Sequence, residues 1–163
     1  MKTLVIVRHS KSSWKDTNLS DYDRPLNKRG KKDAELMSFE LTKKNMLIDF
    51  LLSSSSKRTI LTSEYFLDKI SIHEHEFFDG LYHAPSDLIY NSILKLKNEF
   101  KKVMIVGHNP GLTNIINLLT NLSLYNLPTS GIVIIEFNIS FWNEVKPRLG
   151  KVKWMKFPKD FKL

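Results

Sequence analysis

Two histidines stand at matching places in this sequence. Leu4-Val5-Ile6-Val7 is an uninterrupted apolar, β-prone run that gives way at once to Arg8-His9-Ser10. Val103-Met104-Ile105-Val106 is a second such run, followed directly by Gly107-His108-Asn109-Pro110-Gly111. Runs of this kind read as strands buried on both faces, as in a parallel sheet. Ligands in open α/β sheets bind just past the carboxyl ends of such strands. A third junction, Ser53–Ser56 followed by Lys57 and Arg58, opens a helix. Cations in a first helical turn oppose the dipole. Arg58 there is explained by a bound anion or by a side chain turned into water. Together the junctions supply two imidazoles, two guanidiniums, small hydroxyls and free helix N-termini, the parts of an oxyanion site. A neutral imidazole can also attack phosphorus, so that covalent catalysis splits one hard step into two. A second imidazole, if cationic, stabilises charge on the equatorial oxygens. All of this requires the two histidine-bearing strands to be neighbours.

The elements that must position these groups can be read in order. A first strand covers about Thr3–Val7, and a long polar connection, Ser10–Arg24, follows it. Long loops in compact domains are usually functional. Asn27 is an N-cap for a helix whose Ala34, Met37 and Leu41 mark one face, with Gly30 a weak spot in its first turn. Ile48–Leu52 reads as a second strand and Ser53–Ser56 as the cap and loop before the next helix. His73–Phe78 is a short strand. Pro85, Ser86 and Asp87 open a helix in which Ile89, Ile93, Leu96 and Phe100 keep helical spacing. Val103–Val106 is a strand, and Leu112, Ile115, Ile116, Leu119 and Leu122 mark an amphipathic helix. Gly131–Phe137 and Val152–Phe157 are two more strands, joined around Asn143–Gly150 and expected to lie close in space, antiparallel. Strands alternating with helices predict an α/β three-layer sandwich, with a mostly parallel central sheet flanked by helices.

The chain has 163 residues, 42% hydrophobic and 26% charged, with no cysteine and a net charge of +8. That suits one domain over residues 1–163 with a proper core. Disulfide and thiolate chemistry are excluded. No apolar run is long enough to cross a bilayer, and no signal peptide is expected. The cytoplasm is the default location. The charge attracts polyanions in general. Lys146, Arg148, Lys151, Lys153, Lys156, Lys159 and Lys162 are interleaved with Trp154, Phe157 and Phe161, but without the fingerprint of a nucleic-acid module. A solvated strand face is the expectation, and salt-sensitive retention on DNA or RNA would speak for the alternative. His73-Glu74-His75-Glu76 supplies too few ligands on one strand face for a closed metal site. Trp14 is expected to pack a loop or meet a partner, with Lys11 and Lys15 forming a positive rim. His83 is expected to be an ordinary surface or core residue, with the pocket mouth as the alternative.

Four blocks in this order carry a resemblance: Arg8-His9-Ser10-Lys11-Ser12-Ser13-Trp14, Asp23-Arg24-Pro25-Leu26-Asn27-Lys28-Arg29-Gly30, Ser54–Arg58 with Thr62, and Val106-Gly107-His108-Asn109-Pro110-Gly111. The sequence resembles the histidine phosphatase superfamily, with its phosphoglycerate mutase-like fold, and within it the small SixA-type phosphohistidine phosphatases. The resemblance implies that His9 is the phosphate-accepting nucleophile. It implies that Arg8, Arg58 and His108 clamp the phosphoryl group and that Arg24 lies beside the pocket. Ser10, Lys11 and Asn109 belong to the matching blocks and are candidate substrate contacts. No metal or other cofactor is implied. Ser10 replaces the family's usual glycine or alanine, and Ser56 replaces a proline found in many members. Larger members carry an inserted helical region and an acidic proton donor. This chain is too short for the insertion, and Asp79 falls roughly where the donor would stand.

A sugar alcohol needs an acid to leave, whereas the imidazole of phosphohistidine, with a pKa of roughly 6.5, leaves neutral after protonation by solvent. A compact pocket without a strong acid therefore fits phosphohistidine on a signalling or phosphotransfer protein. The alternatives are a small phosphomonoester or phosphoanhydride as substrate, or a non-catalytic phospho-binding module. None of these needs a membrane or a specific nucleic acid.

Overall fold

In a computed structural model, residues 1–162 are described. The strands are β1 (Lys2–Arg8), β2 (Ile48–Ser54), β3 (Ile72–Phe78), β4 (Lys102–Gly107), β5 (Ile132–Phe137) and β6 (Lys151–Lys156). The helices are α1 (Lys28–Thr42), α2 (Lys57–Lys69), α3 (Ser86–Leu94) and α4 (Gly111–Leu119). The six strands form one sheet in the order β3-β2-β4-β1-β5-β6. The first four strands run parallel to one another, and β5 and β6 are antiparallel to their neighbours. The expected antiparallel pairing of the last two strands holds.

Alternation of side chains along β1 divides the core. Leu4 and Ile6 join Ile89, Ile93, Leu112, Ile115, Ile116 and Leu119 beneath α3 and α4. Val5 and Val7 face Met37, Leu41 and Phe66 of α1 and α2 on the other side. Both sets are fully or nearly fully buried, which is why the central strands read as continuous apolar runs. The result is the three-layer α/β sandwich. Among the described residues no helix is long and apolar enough to cross a membrane.

Several boundaries differ from the sequence expectation. Strand β1 continues through Arg8, because the Arg8 N–H still has a partner in the Gly131 carbonyl at 3.1 Å. Ser53 and Ser54 lie in β2, buried, so only the second half of the serine run precedes the helix. Helix α3 stops at Leu94, yet Leu96 and Phe100 remain buried beyond it. Phe100 stacks on Phe50 at 4.9 Å, and its carbonyl accepts the Trp142 indole N–H at 2.7 Å. The apolar spacing reflected burial after the helical hydrogen bonds had ended. Helix α4 likewise ends before Leu122.

Strand β1 pairs with β4 in register Arg8↔Gly107, so His9 and His108 leave adjacent strand ends side by side. Asn27 caps α1 by accepting the Gly30 N–H at 2.7 Å. Gly30 is required by close approach: a Cβ there would overlap the Lys11 carbonyl of the loop that follows His9.

Candidate active site

The ends of β1, β2 and β4 converge, as the sequence required. A cavity of about 220 Å³ is lined by Arg8, His9, Lys11, Ser12, Trp14, Arg24, Arg58, His83, His108, Asn109 and Thr129. Four of these side chains are permanent cations and none is a carboxylate. A larger groove of about 580 Å³ runs past Phe50, Phe78, Leu88 and Phe100, with Glu74 and Glu76 balanced by Lys95 and Lys97, and none of the strand-end histidines or arginines lines it.

His9 and His108 lie with ring centroids 5.2 Å apart. The Nδ1 of His9 is 2.8 Å from the Ser10 carbonyl. A carbonyl only accepts, so Nδ1 carries the proton and Nε2 keeps its lone pair. Burial, reinforced by the charges of Arg58, Arg8 and Arg24, pushes the His9 imidazole down to about 3, against the raising effect of the Ser10 hydrogen bond. Burial, then His9 and Arg58, pushes His108 down to about 2. Both rings are therefore neutral at physiological pH without a ligand. His108 has its Nε2 2.9 Å from the Ser54 hydroxyl and its Nδ1 3.4 Å from Nη2 of Arg58. Arginine only donates, so Nδ1 is the acceptor and Nε2–H donates to Ser54.

Arg58 extends from the first turn of α2 and is buried. It donates through Nη1 to the Asp21 carbonyl at 2.7 Å and through Nη2 to Asp21 Oδ2 at 3.0 Å. Its cationic position is thus offset by a carboxylate. Arg8 donates through Nη1 to the Leu127 carbonyl at 2.9 Å. Its buried Nε has no partner among the described residues. Arg24 donates to the Ser13 carbonyl, the Ser12 hydroxyl and Asp21 Oδ1. Its guanidinium lies over the Trp14 ring, with Cζ 3.2 Å from the ring centroid. Trp14 remains 70% exposed at the cavity mouth.

The other candidates separate. Lys11 and Asn109 line the cavity. The Asn109 amide also ties down the turn before α4, donating to Asn126 and Leu127 while its oxygen accepts from Thr113. Ser10 is fully buried and does not line the cavity. Its N–H donates to the Thr62 hydroxyl at 2.9 Å, and its own hydroxyl pairs with Ser130 at 2.6 Å. Ser10 thus fixes the backbone that orients His9, and the expected substrate contact is corrected. Asp79 does not line the cavity either, because its carboxylate accepts from the Ser55 and Tyr22 hydroxyls.

Sequence reasoning missed Asp21 and gave the pocket mouth only as an alternative place for His83. Asp21 accepts from Arg24, Arg58, Tyr82 and His83. Burial would raise its carboxyl, but these hydrogen bonds and the Arg58 charge outweigh it and hold the group well below the usual carboxylate range. The spacing Asp21 to Arg24 was the only local signal. His83 reaches the cavity from a left-handed backbone position, φ 52°. Among the described residues no cluster of three or more His, Asp or Glu could hold a metal ion.

A family model, the histidine phosphatase superfamily (branch 1), matches residues 4–82. An uncharacterised chloroplast protein of Arabidopsis thaliana is 26% identical, over 94% of this chain and 74% of its own length. Phosphoserine phosphatase 1 of Hydrogenobacter thermophilus is 38% identical over 65 residues, 39% of this chain and 30% of that protein. The protein histidine phosphatase SixA, solved in complex with tungstate, superposes with a TM-score of 0.83 at 22% identity, over 98% of this chain and 99% of that one. The family match spans the segment carrying Arg8, His9, Arg24 and Arg58, and the shared fold extends through His108. The chain is thus similar to the histidine phosphatase superfamily over residues 4–82 and shares the fold of SixA along nearly its whole length.

Proposed function

We propose that this chain is a phosphatase that works through a phospho-His9 intermediate, and that its substrate is a phosphohistidine on a signalling or phosphotransfer protein. The observation that carries the reading is the pair of neutral imidazoles 5.2 Å apart in a cavity whose only charged groups are cations. The Nε2 lone pair of His9 attacks phosphorus. Arg8, Arg58 and Arg24 face the oxygens, and His108 takes up a proton as the dianion enters and then donates to an equatorial oxygen. Water next hydrolyses the phospho-His9 bond and restores the neutral ring. The charge stabilisation comes from guanidinium and imidazolium groups, so the scheme needs no metal.

The substrate class follows from size and charge. The cavity is small, its mouth carries an exposed tryptophan, and no carboxylate lines it. An imidazole leaving group on a protruding side chain suits such a mouth. A second reading, a small phosphomonoester, is favoured by the local match to a phosphoserine phosphatase. Turnover of a phosphohistidine protein beside a panel of sugar and amino-acid phosphates separates the two. His9→Ala is expected to abolish phosphate release from whichever substrate is used. Full activity in that variant would remove the mechanism.

A further inference from the structure

The scheme above, on which this inference rests, leaves one proton unassigned. The leaving group needs one, and the water that hydrolyses the intermediate must lose one. Guanidinium groups do not give protons up. An ordinary lysine ammonium is too weak an acid to serve. His9 and His108 are both sequestered, 7% and 3% exposed. Asp21 is held as the anion by four donors. Asp79 is outside the cavity.

One lining group is left, His83. Its side chain is 51% exposed, and its ring centroid lies 5.0 Å from that of His108. The ring rests against Tyr82 at 4.2 Å. Its Nε2 is 3.0 Å from Asp21 Oδ2, a carboxylate–imidazole pair. Its Nδ1 has no hydrogen-bond partner among the described residues. In-line displacement puts the leaving atom on the side of phosphorus opposite His9, and His83 is a half-exposed group lining the same cavity. The groups facing that ring are the Asp21 carboxylate, the Arg58 guanidinium and the His108 imidazole. The backbone at His83 is left-handed, a conformation that non-glycine residues adopt at a cost and that clusters at functional sites.

We propose that His83, oriented by Asp21, is the catalytic acid and base of the reaction. In the first step the His9 Nε2–P bond forms and the bond from phosphorus to the leaving atom breaks. The Nδ1 proton of the His83 imidazolium moves to that atom, while Nε2–H keeps donating to Asp21. In the second step water attacks phosphorus, the Nε2–P bond breaks, and Nδ1 of His83 takes the water proton. Atoms and charges then return to their starting state.

The test uses leaving groups that differ in their need for a proton. His83→Gly suits the left-handed backbone, and His83→Asn is a second variant compatible with it. Both are compared with the wild type on p-nitrophenyl phosphate, phenyl phosphate and a phosphohistidine protein. The expected result is a roughly hundredfold fall in kcat/KM for phenyl phosphate. Turnover of p-nitrophenyl phosphate, whose phenolate leaves unprotonated, should change little. Added imidazole should restore phenyl phosphate turnover in His83→Gly. Equal losses on both esters, or none on either, would overturn the assignment and leave the phospho-His9 reading intact. Wild-type turnover of esters without turnover of the phosphohistidine protein would remove the substrate reading alone. No wild-type turnover of any substrate would overturn both.

Discussion

His9 and His108 are kept neutral by burial and by the cations around them, and this has two consequences at the level of the single residue. In the unfolded chain both imidazoles titrate near the ordinary value of about 6.5, and in the folded chain near 3 and 2. Between roughly pH 6.5 and pH 3 the unfolded chain therefore binds more protons, and acidification favours unfolding. Asp21, with its carboxyl lowered, acts in the same direction below the ordinary carboxylate range. Denaturation midpoints should fall steadily from pH 7 to pH 4, and His108→Ala should flatten that fall. An equally steep fall in the variant would mean that His108 is not held neutral. Secondly, an oxyanion in the cavity reverses the electrostatics at His108, so binding should take up a proton. Calorimetric titration of tungstate in buffers of different ionisation enthalpy would show it as a buffer-dependent heat. His9, Arg8, Arg58 and His108 were legible in the sequence because each sits at a junction between a strand and a helix. Asp21 was not, and the pocket mouth was only one of the readings for His83, because their places are set by contacts across 37 and 62 positions of chain.

At the scale of the element, strands β1 and β4 were the most legible, since burial on both faces leaves an unbroken apolar run. Strand β3 was legible by residue type alone. Five of its residues, His73 to Glu76 and Phe78, are exposed, as its place at the edge of the sheet allows. The beginning of α1 shows how propensity misleads. Gly30 is a poor helix former, yet the helix runs through it because only hydrogen fits against the Lys11 carbonyl. That carbonyl also accepts the Asn27 N–H at 3.0 Å, which ties the loop after His9 to the helix cap. Gly30→Ala should gain up to about 1 kcal/mol of helix propensity but lose about 1–3 kcal/mol to overpacking. The net expectation is a lower urea midpoint with an unchanged slope. A raised midpoint would show that the loop can yield.

The whole molecule carries +8, and the cavity collects four of its cations in about 220 Å³. Asp21 offsets part of the self-repulsion there, and an anion entering the cavity relieves more of it. Phosphate or tungstate at a hundred times its dissociation constant should add about 2.7 kcal/mol of stability. Arg58→Ala should lose most of that gain, and added salt should weaken the binding. Equal stabilisation of the variant would place the ion elsewhere. The three-layer architecture was readable from the alternation of strands and helices. What was not readable was how the loop from Ser10 to Arg24 folds back to lay Arg24 on Trp14 and Asp21 on Arg58. That arrangement depends on side-chain pairing between distant segments.

The central claim is that phosphate passes through His9. It is tested most directly by mixing the protein briefly with a radiolabelled phosphohistidine protein, quenching in alkali and mapping the trapped label by peptide. The expected label is stable to base, labile to acid, located on the peptide carrying His9, and absent from His9→Ala. Rapid turnover with no trapped label, or a label on another residue that survives in His9→Ala, would contradict the account.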